Sequence, residues 1–323
     1  MARIGLVLGA GGVTGGAFEA GVLAALEEAT GWDPRTADLV VGTSVGALTG
    51  ALLRAGMSSD DLAARNEGRP LTIEGAALVH EAGMPPELAP LPPRPSRRRF
   101  GHPEAHRVLL DAVRRRSGVR PGVLAAALVT PGTVPASSVA REIGSCFDGT
   151  WPEARFWVCA ARLDFGGLRV FGRTSEEDVT VRDAVAASCA VPGYLEPVEL
   201  DGVNYVDGAV HSFTNLGEVA GDDLDLVIVI APVSVANRRQ YVRGAPTRLA
   251  GRAQLDREIR RVEQAGTRVV AFQPAAADQS AMGRDMMDHT RRGAVTRHAR
   301  DSTLRMLEHD RLLELLHDLG PAR

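Results

Sequence analysis

The sequence contains no lysine: all 37 of its positive side chains are arginine. Cysteine is scarce, with only Cys146, Cys159 and Cys189 and no Cys-x-x-Cys spacing. An odd count in a long chain excludes a disulfide framework, and the spacing gives no sign of zinc. Net charge is small. The 37 arginines against 40 acidic residues leave −3 at pH 7, which excludes a general polybasic nucleic-acid binder. No apolar run reaches the ~18–20 residues of a membrane-spanning helix. The apolar run Ile4–Leu8 is shorter than the ~7–15 residues of a secretory signal, and a glycine cluster follows it at once. These absences lead to the expectation of a cytoplasmic protein in a reducing compartment. What is present is ordinary globular composition, 45% hydrophobic and 24% charged over 323 residues. That is enough chain for one large domain or two average ones.

Residues 4–8 have the pattern of a strand covered on both faces. Beyond the glycines, residues 16–29 place Phe18, Val22, Leu23 and Leu26 at helical spacing. Residues 38–43 read as a second buried strand, and 45–56 as a helix ended near Gly56. Strand–helix–strand–helix predicts a right-handed parallel crossover. The expected fold is therefore α/β, three layers (α/β/α) with a mostly parallel central sheet. Further strands are predicted at 156–162, 168–172, 224–231 and 268–273, a small hairpin near 198–204, and a helix at 179–190 stopped by Pro192 and Gly193. The chain reads as a single domain over 1–323. Within it, 57–150 reads as an insertion or lid, with helical patches near 58–66 and 104–116 and a proline-rich connection running into Arg97, Arg98 and Arg99. Residues 288–323 read as a C-terminal helical tail.

Three stretches carry chemistry. Gly42-Thr43-Ser44-Val45-Gly46 lies directly between a strand and a helix. In that context Gly-x-Ser-x-Gly is a nucleophile elbow: a sharp turn exposes the serine hydroxyl and leaves the next amide facing an oxyanion. A serine that merely caps the helix is the plainer alternative. The run Gly9-Ala10-Gly11-Gly12-Val13-Thr14-Gly15-Gly16 also joins a strand to a helix. Its amides could hold a dinucleotide pyrophosphate or an oxyanion. The strict Gly-x-Gly-x-x-Gly spacing fails at Thr14, and Thr43 and Ser44 stand where an acidic ribose partner belongs. Further along, Tyr205-Val206-Asp207-Gly208-Ala209 delivers an aspartate at a turn.

In this order the three stretches resemble the patatin-like phospholipases, serine lipid acyl hydrolases with a glycine-rich oxyanion loop, a Gly-x-Ser-x-Gly elbow and a downstream Asp-Gly-Gly or Asp-Gly-Ala. Ala187-Ser188-Cys189-Ala190-Val191-Pro192-Gly193 also looks like the family. The resemblance implies Ser44 as nucleophile and Asp207 as general base, a dyad without histidine. It implies Gly11, Gly12 and Val45 as oxyanion donors, with Gly9, Gly15, Gly42, Gly46 and Gly208 supporting the motifs. It implies a lipid or acyl-ester substrate and no cofactor or metal; peripheral contact with a membrane follows only from that substrate. The chain departs from the family at Ala10, where a glycine is usual, and at Thr14, where Lys or Arg is usual. A non-catalytic acyl-group binder and an acyltransferase remain as alternatives.

Other constellations compete. Ser…Asp…His order could be completed by His211, His289, His298, His309 or His317. His102 and His106 stand four apart, but Pro103 occupies the place of a zincin glutamate, so surface histidines are expected. Met282, Met286 and Met287 are expected to pack in core or loops rather than line a lipid-facing rim. Cys189 is expected in the core, and Asn215 as a turn or cap residue.

Overall fold

The structure, a computed structural model, describes residues 2–85, 132–143, 145–147, 149–164, 167–174, 178–237, 246–309 and 316. The helical patch expected at 104–116, most of the proline-rich connection with Arg97, Arg98 and Arg99, the His102/His106 pair and His317 lie outside these residues.

Among the described residues one sheet holds β1 (Ile4–Leu8), β2 (Leu39–Thr43), β3 (Arg155–Arg162), β4 (Leu168–Phe171), β5 (Val198–Leu200), β6 (Val203–Asp207), β7 (Leu226–Ile230) and β8 (Arg268–Phe272). Its order is β5-β6-β3-β2-β1-β7-β8, with β4 paired to β3. β1, β2, β3, β7 and β8 run parallel; β4 and β6 pair antiparallel with β3, and β5 pairs antiparallel with β6. Asp201 and Gly202 turn β5 into β6, both at positive φ (50° and 74°), as a two-residue primed turn requires.

The helices are α1 (Gly12–Thr30), α2 (Val45–Arg54), α3 (Ser59–Glu67), α4 (Ile73–Glu81), α5 (Ser137–Ala140), α6 (Val181–Ser188), α7 (Pro246–Gln264), α8 (Ala276–Met282) and α9 (Arg292–His309). Strand side chains alternate between two cores. Leu6, Leu8, Ile228 and Ile230 pack with Phe18 and Leu23 of α1, Leu53 of α2 and Val295 of α9. Val7, Val41, Val227 and Val229 pack with Leu255 and Val262 of α7 on the opposite face. These are the three expected layers, a mostly parallel sheet with helices on both sides. Each such buried aliphatic side chain contributes about 1.5–3 kcal/mol relative to exposure. No helix among the described residues is long and apolar enough to cross a membrane.

One pairing detail positions the site. Cys159 of β3 pairs with Thr43 of β2 and with Val170 of β4, while Ala160 pairs with Asp207 of β6 and Arg169 of β4. A strand has two edges. With β4 on one, β2 and β6 must share the other, arriving from opposite directions. Their C-terminal ends therefore abut opposite Cys159 and Ala160, which brings Ser44 beside Asp207.

Candidate active site

Ser44 is the single residue between β2 and α2, held at φ 58° and ψ −124°. Non-glycine residues avoid this region, at a cost of about 1–3 kcal/mol. Two features hold it there. Its N–H donates to Ser188 Oγ at 2.8 Å, and that hydroxyl donates to the Cys159 carbonyl at 2.6 Å, so α6 straps the elbow to β3. The second is packing too tight for a side chain at Gly46, where a Cβ would stand 2.2 Å from the Leu8 carbonyl oxygen. Gly42 is equally closed, since its Cβ would lie 2.4 Å from Ala47 Cα.

Asp207 is the last residue of β6, and both it and Ser44 are buried. The Ser44 hydroxyl donates to Asp207 Oδ2 at 2.6 Å, and the Ala209 N–H donates to Oδ1 at 2.8 Å. Burial pushes Asp207 up to about 6, against the lowering influence of those two donors. A carboxylate with that affinity accepts a serine proton more readily than an ordinary aspartate.

The glycine loop leads straight into α1, which begins at Gly12 rather than near residue 16 as the periodicity suggests. Its framework amides are engaged: Gly9 with Ile230 O (3.0 Å), Ala10 with Phe213 O (2.7 Å), Thr14 with Met286 O (3.0 Å) and Gly15 with Gly11 O (3.0 Å). Among the described residues, the amides of Gly11, Gly12 and Val45 have no acceptor. Gly12 and Val45 open α1 and α2, where the first N–H groups lack intrahelical partners and the helix dipole favours negative charge. Because the amides of Ala10 and Thr14 point into the framework, the two departures from the family pattern fall on residues whose N–H groups are already used.

Ser44, Asp207, Gly11, Gly12 and Val45 all line one cavity of about 910 Å³. Its walls are mainly apolar, with Leu48, Leu52, Leu62, Met84, Val191 and Leu195, and with Arg141 and Arg182 among its polar members. Met286 and Met287 line it too, whereas Met282 is buried in the main core. Cys189 is buried and reaches the same cavity wall; burial, reinforced by Asp207 and Glu19, drives its thiol pKa upward.

No described histidine is bonded to Ser44 or Asp207. The His211 ring instead meets Asn215 Oδ1 at 2.9 Å. No cluster of metal-ligating side chains occurs among the described residues. Sequence reasoning passed over Ser188 as a supporting residue. The stretch 187–193 is marked only by its resemblance to the family, and the role of Ser188 exists only where α6 meets the elbow.

Comparison with known proteins gives two findings. A family model described as patatin-like phospholipase matches residues 6–69 and 96–220. Among solved structures, VipD from Legionella pneumophila aligns with a TM-score of 0.45 at 12% identity, over 95% of this chain and 67% of its own. No curated protein matches the chain.

Proposed function

Since the chain belongs to the patatin-like phospholipase family, a family of lipid acyl hydrolases, we propose that it cleaves acyl esters of lipids through a Ser44–Asp207 dyad. One observation carries this reading: the 2.6 Å hydrogen bond from the Ser44 hydroxyl to Asp207, at the wall of a largely apolar cavity. Ser44 Oγ attacks the acyl carbonyl as Asp207 Oδ2 takes its proton. The negative charge that develops on the carbonyl oxygen is met by the amides of Gly11, Gly12 and Val45; one such donor is typically worth ~10²–10³ in turnover. Collapse of the tetrahedral intermediate breaks the ester bond. The departing alcohol takes the proton from Asp207 and leaves an acyl group on Ser44. Water then attacks the acyl-enzyme, giving one proton to Asp207. That proton returns to Ser44 as the fatty acid departs. Apolar walls suit the acyl chain and exclude competing water.

The test is a panel of phospholipids, acylglycerols and short-chain esters run on the native protein and on Ser44→Ala. The variant should lose at least about 10⁴-fold in kcat, the scale seen when a nucleophile is removed, and a fluorophosphonate should label the native protein at Ser44. Unchanged hydrolysis by Ser44→Ala overturns the reading. A silent probe on a protein that binds lipid favours a non-catalytic acyl binder. Acyl products formed on added glycerol would instead assign transfer to an alcohol.

A further inference from the structure

The dyad and the oxyanion loop come from three separate stretches of chain, and a fourth touches all of them. Residues 211–216 form a short loop beside the elbow. Within it Asn215 is buried and adopts a left-handed conformation, φ 50° and ψ 26°. Its Nδ2 donates to Thr43 Oγ1 at 3.0 Å, to Ser212 O at 3.0 Å and more distantly to Gly208 O at 3.4 Å. Thr43 is the residue before the nucleophile, and Gly208 the residue after the aspartate. Thr43 Oγ1 in turn faces Thr214 O at 3.4 Å. Two residues before Asn215, the Phe213 carbonyl accepts the Ala10 N–H at 2.7 Å and so holds the glycine loop.

The loop is itself clamped by α7, which packs on the same face of the sheet as Leu216. Glu258 of α7 accepts three hydrogen bonds from it: Ser212 Oγ at 2.6 Å, Thr214 Oγ1 at 2.7 Å and the Leu216 N–H at 3.1 Å. Gln254, one turn earlier on the same helix, donates to His211 O at 3.1 Å. α7 lies beyond the residues that the family model matches.

We propose that Asn215 is a positioning residue for the hydrolysis, locking the Thr43–Ser44 elbow to the Asp207–Gly208 turn, and that Glu258 sets its placement from α7. This inference rests on the dyad reading given above. It assigns the 211–216 loop a task that neither Ser44 nor Asp207 performs: keeping donor, acceptor and oxyanion amides in one fixed relation. A displacement of about 1 Å in such a site can cost ~10²-fold in rate, so the amide's removal should be felt in turnover and little in substrate binding.

The experiment compares four variants with the native protein on a short-chain ester, after thermal unfolding has shown which are folded. Asn215→Gly removes the amide while suiting the left-handed backbone. Asn215→Asp keeps the shape but replaces the donor with an acceptor. Glu258→Ala releases the loop, and Thr43→Val removes the hydroxyl that the amide grips while preserving a β-branched strand residue. Folded Asn215 variants should lose about 10–100-fold in kcat with KM within about twofold. The acid limb of their kcat/KM profile should move to higher pH, because the Ser44 donor that restrains Asp207 is displaced. Glu258→Ala should show the same split, less severely. Native kcat and a native limb in folded Asn215→Gly overturn the proposal, as does a loss confined to KM. Should both Asn215 variants fail to fold, the same criteria apply to Thr43→Val. Ser44→Ala in the same assay separates the two layers of argument. If it remains active, the dyad reading falls. If it is inactive while Asn215→Gly performs as native, only the positioning role falls.

Discussion

An ordinary aspartate, with a pKa near ~3.9, is a poor acceptor for a serine proton. Asp207 is pushed up to about 6 by burial, even with donors on both its oxygens. The sign of the pH dependence follows. Below that value Asp207 is protonated and has no place for the Ser44 proton, so kcat/KM should fall as pH drops through about 6. A kcat/KM profile on a soluble ester, which reports the free enzyme, checks this. A limb centred near the ordinary aspartate value would show that the carboxylate is better solvated than its surroundings suggest. The strain at Ser44 belongs to the same scale. A backbone at φ 58° is retained because Ser188 and the closed packing at Gly42 and Gly46 leave the chain no relaxed alternative.

Between residue and molecule stands the junction of β2 with α2. A methyl group added at Gly46 would collide with the Leu8 carbonyl of β1, and backbone cannot yield as a side-chain tip can. Gly46→Ala should therefore destabilise the protein by about 2–4 kcal/mol through overpacking, read as a lowered urea midpoint. A midpoint within error of native would mean that α2 slides freely over the sheet. The parallel strands were legible in the sequence because a strand covered on both faces is an unbroken apolar run, as in β1, β2 and β7. The elbow and glycine loop were legible because their geometry demands small residues close together in sequence. α4, α5, α7 and α8 were not read as helices. α7 is rich in arginine and buries only a thin stripe with Leu255 and Val262, so its pattern resembles a solvated segment. Ser188, Asn215 and Glu258 were illegible as supports for a different reason. Their bonds span 144 residues to Ser44, 172 to Thr43 and 42–46 between Glu258 and its loop, and no local pattern announces a meeting of that kind.

At the scale of the whole molecule, global stability carries the mark of Glu19. It is fully buried on α1 and bonded through Oε2 to Thr49 of α2, and among the described residues Oε1 has no partner. Burial raises its pKa well above the ordinary glutamate value. The folded chain thus keeps a proton that the unfolded chain releases above about pH 4.3. Stability from this group is full below that pH and declines as pH rises toward the folded value. Glu19→Gln should remove the decline. Thermal unfolding at pH 5 and pH 8 should show the variant's advantage over the native protein growing with pH. A gap constant across that range would count against a protonated Glu19.

The edge of β3 shared by β2 and β6 has a consequence for how the protein comes into being. Its two key side chains are 163 residues apart and meet only when the second strand has docked end-on against the first. At a ribosome adding ~5–20 residues per second, about 8–33 seconds separate the emergence of the two. Throughout that interval the nascent chain displays a serine with no proton acceptor. On the dyad reading, attack competence arrives with β6: the hydroxyl is made first and gains its acceptor only when the later strand pairs with β3.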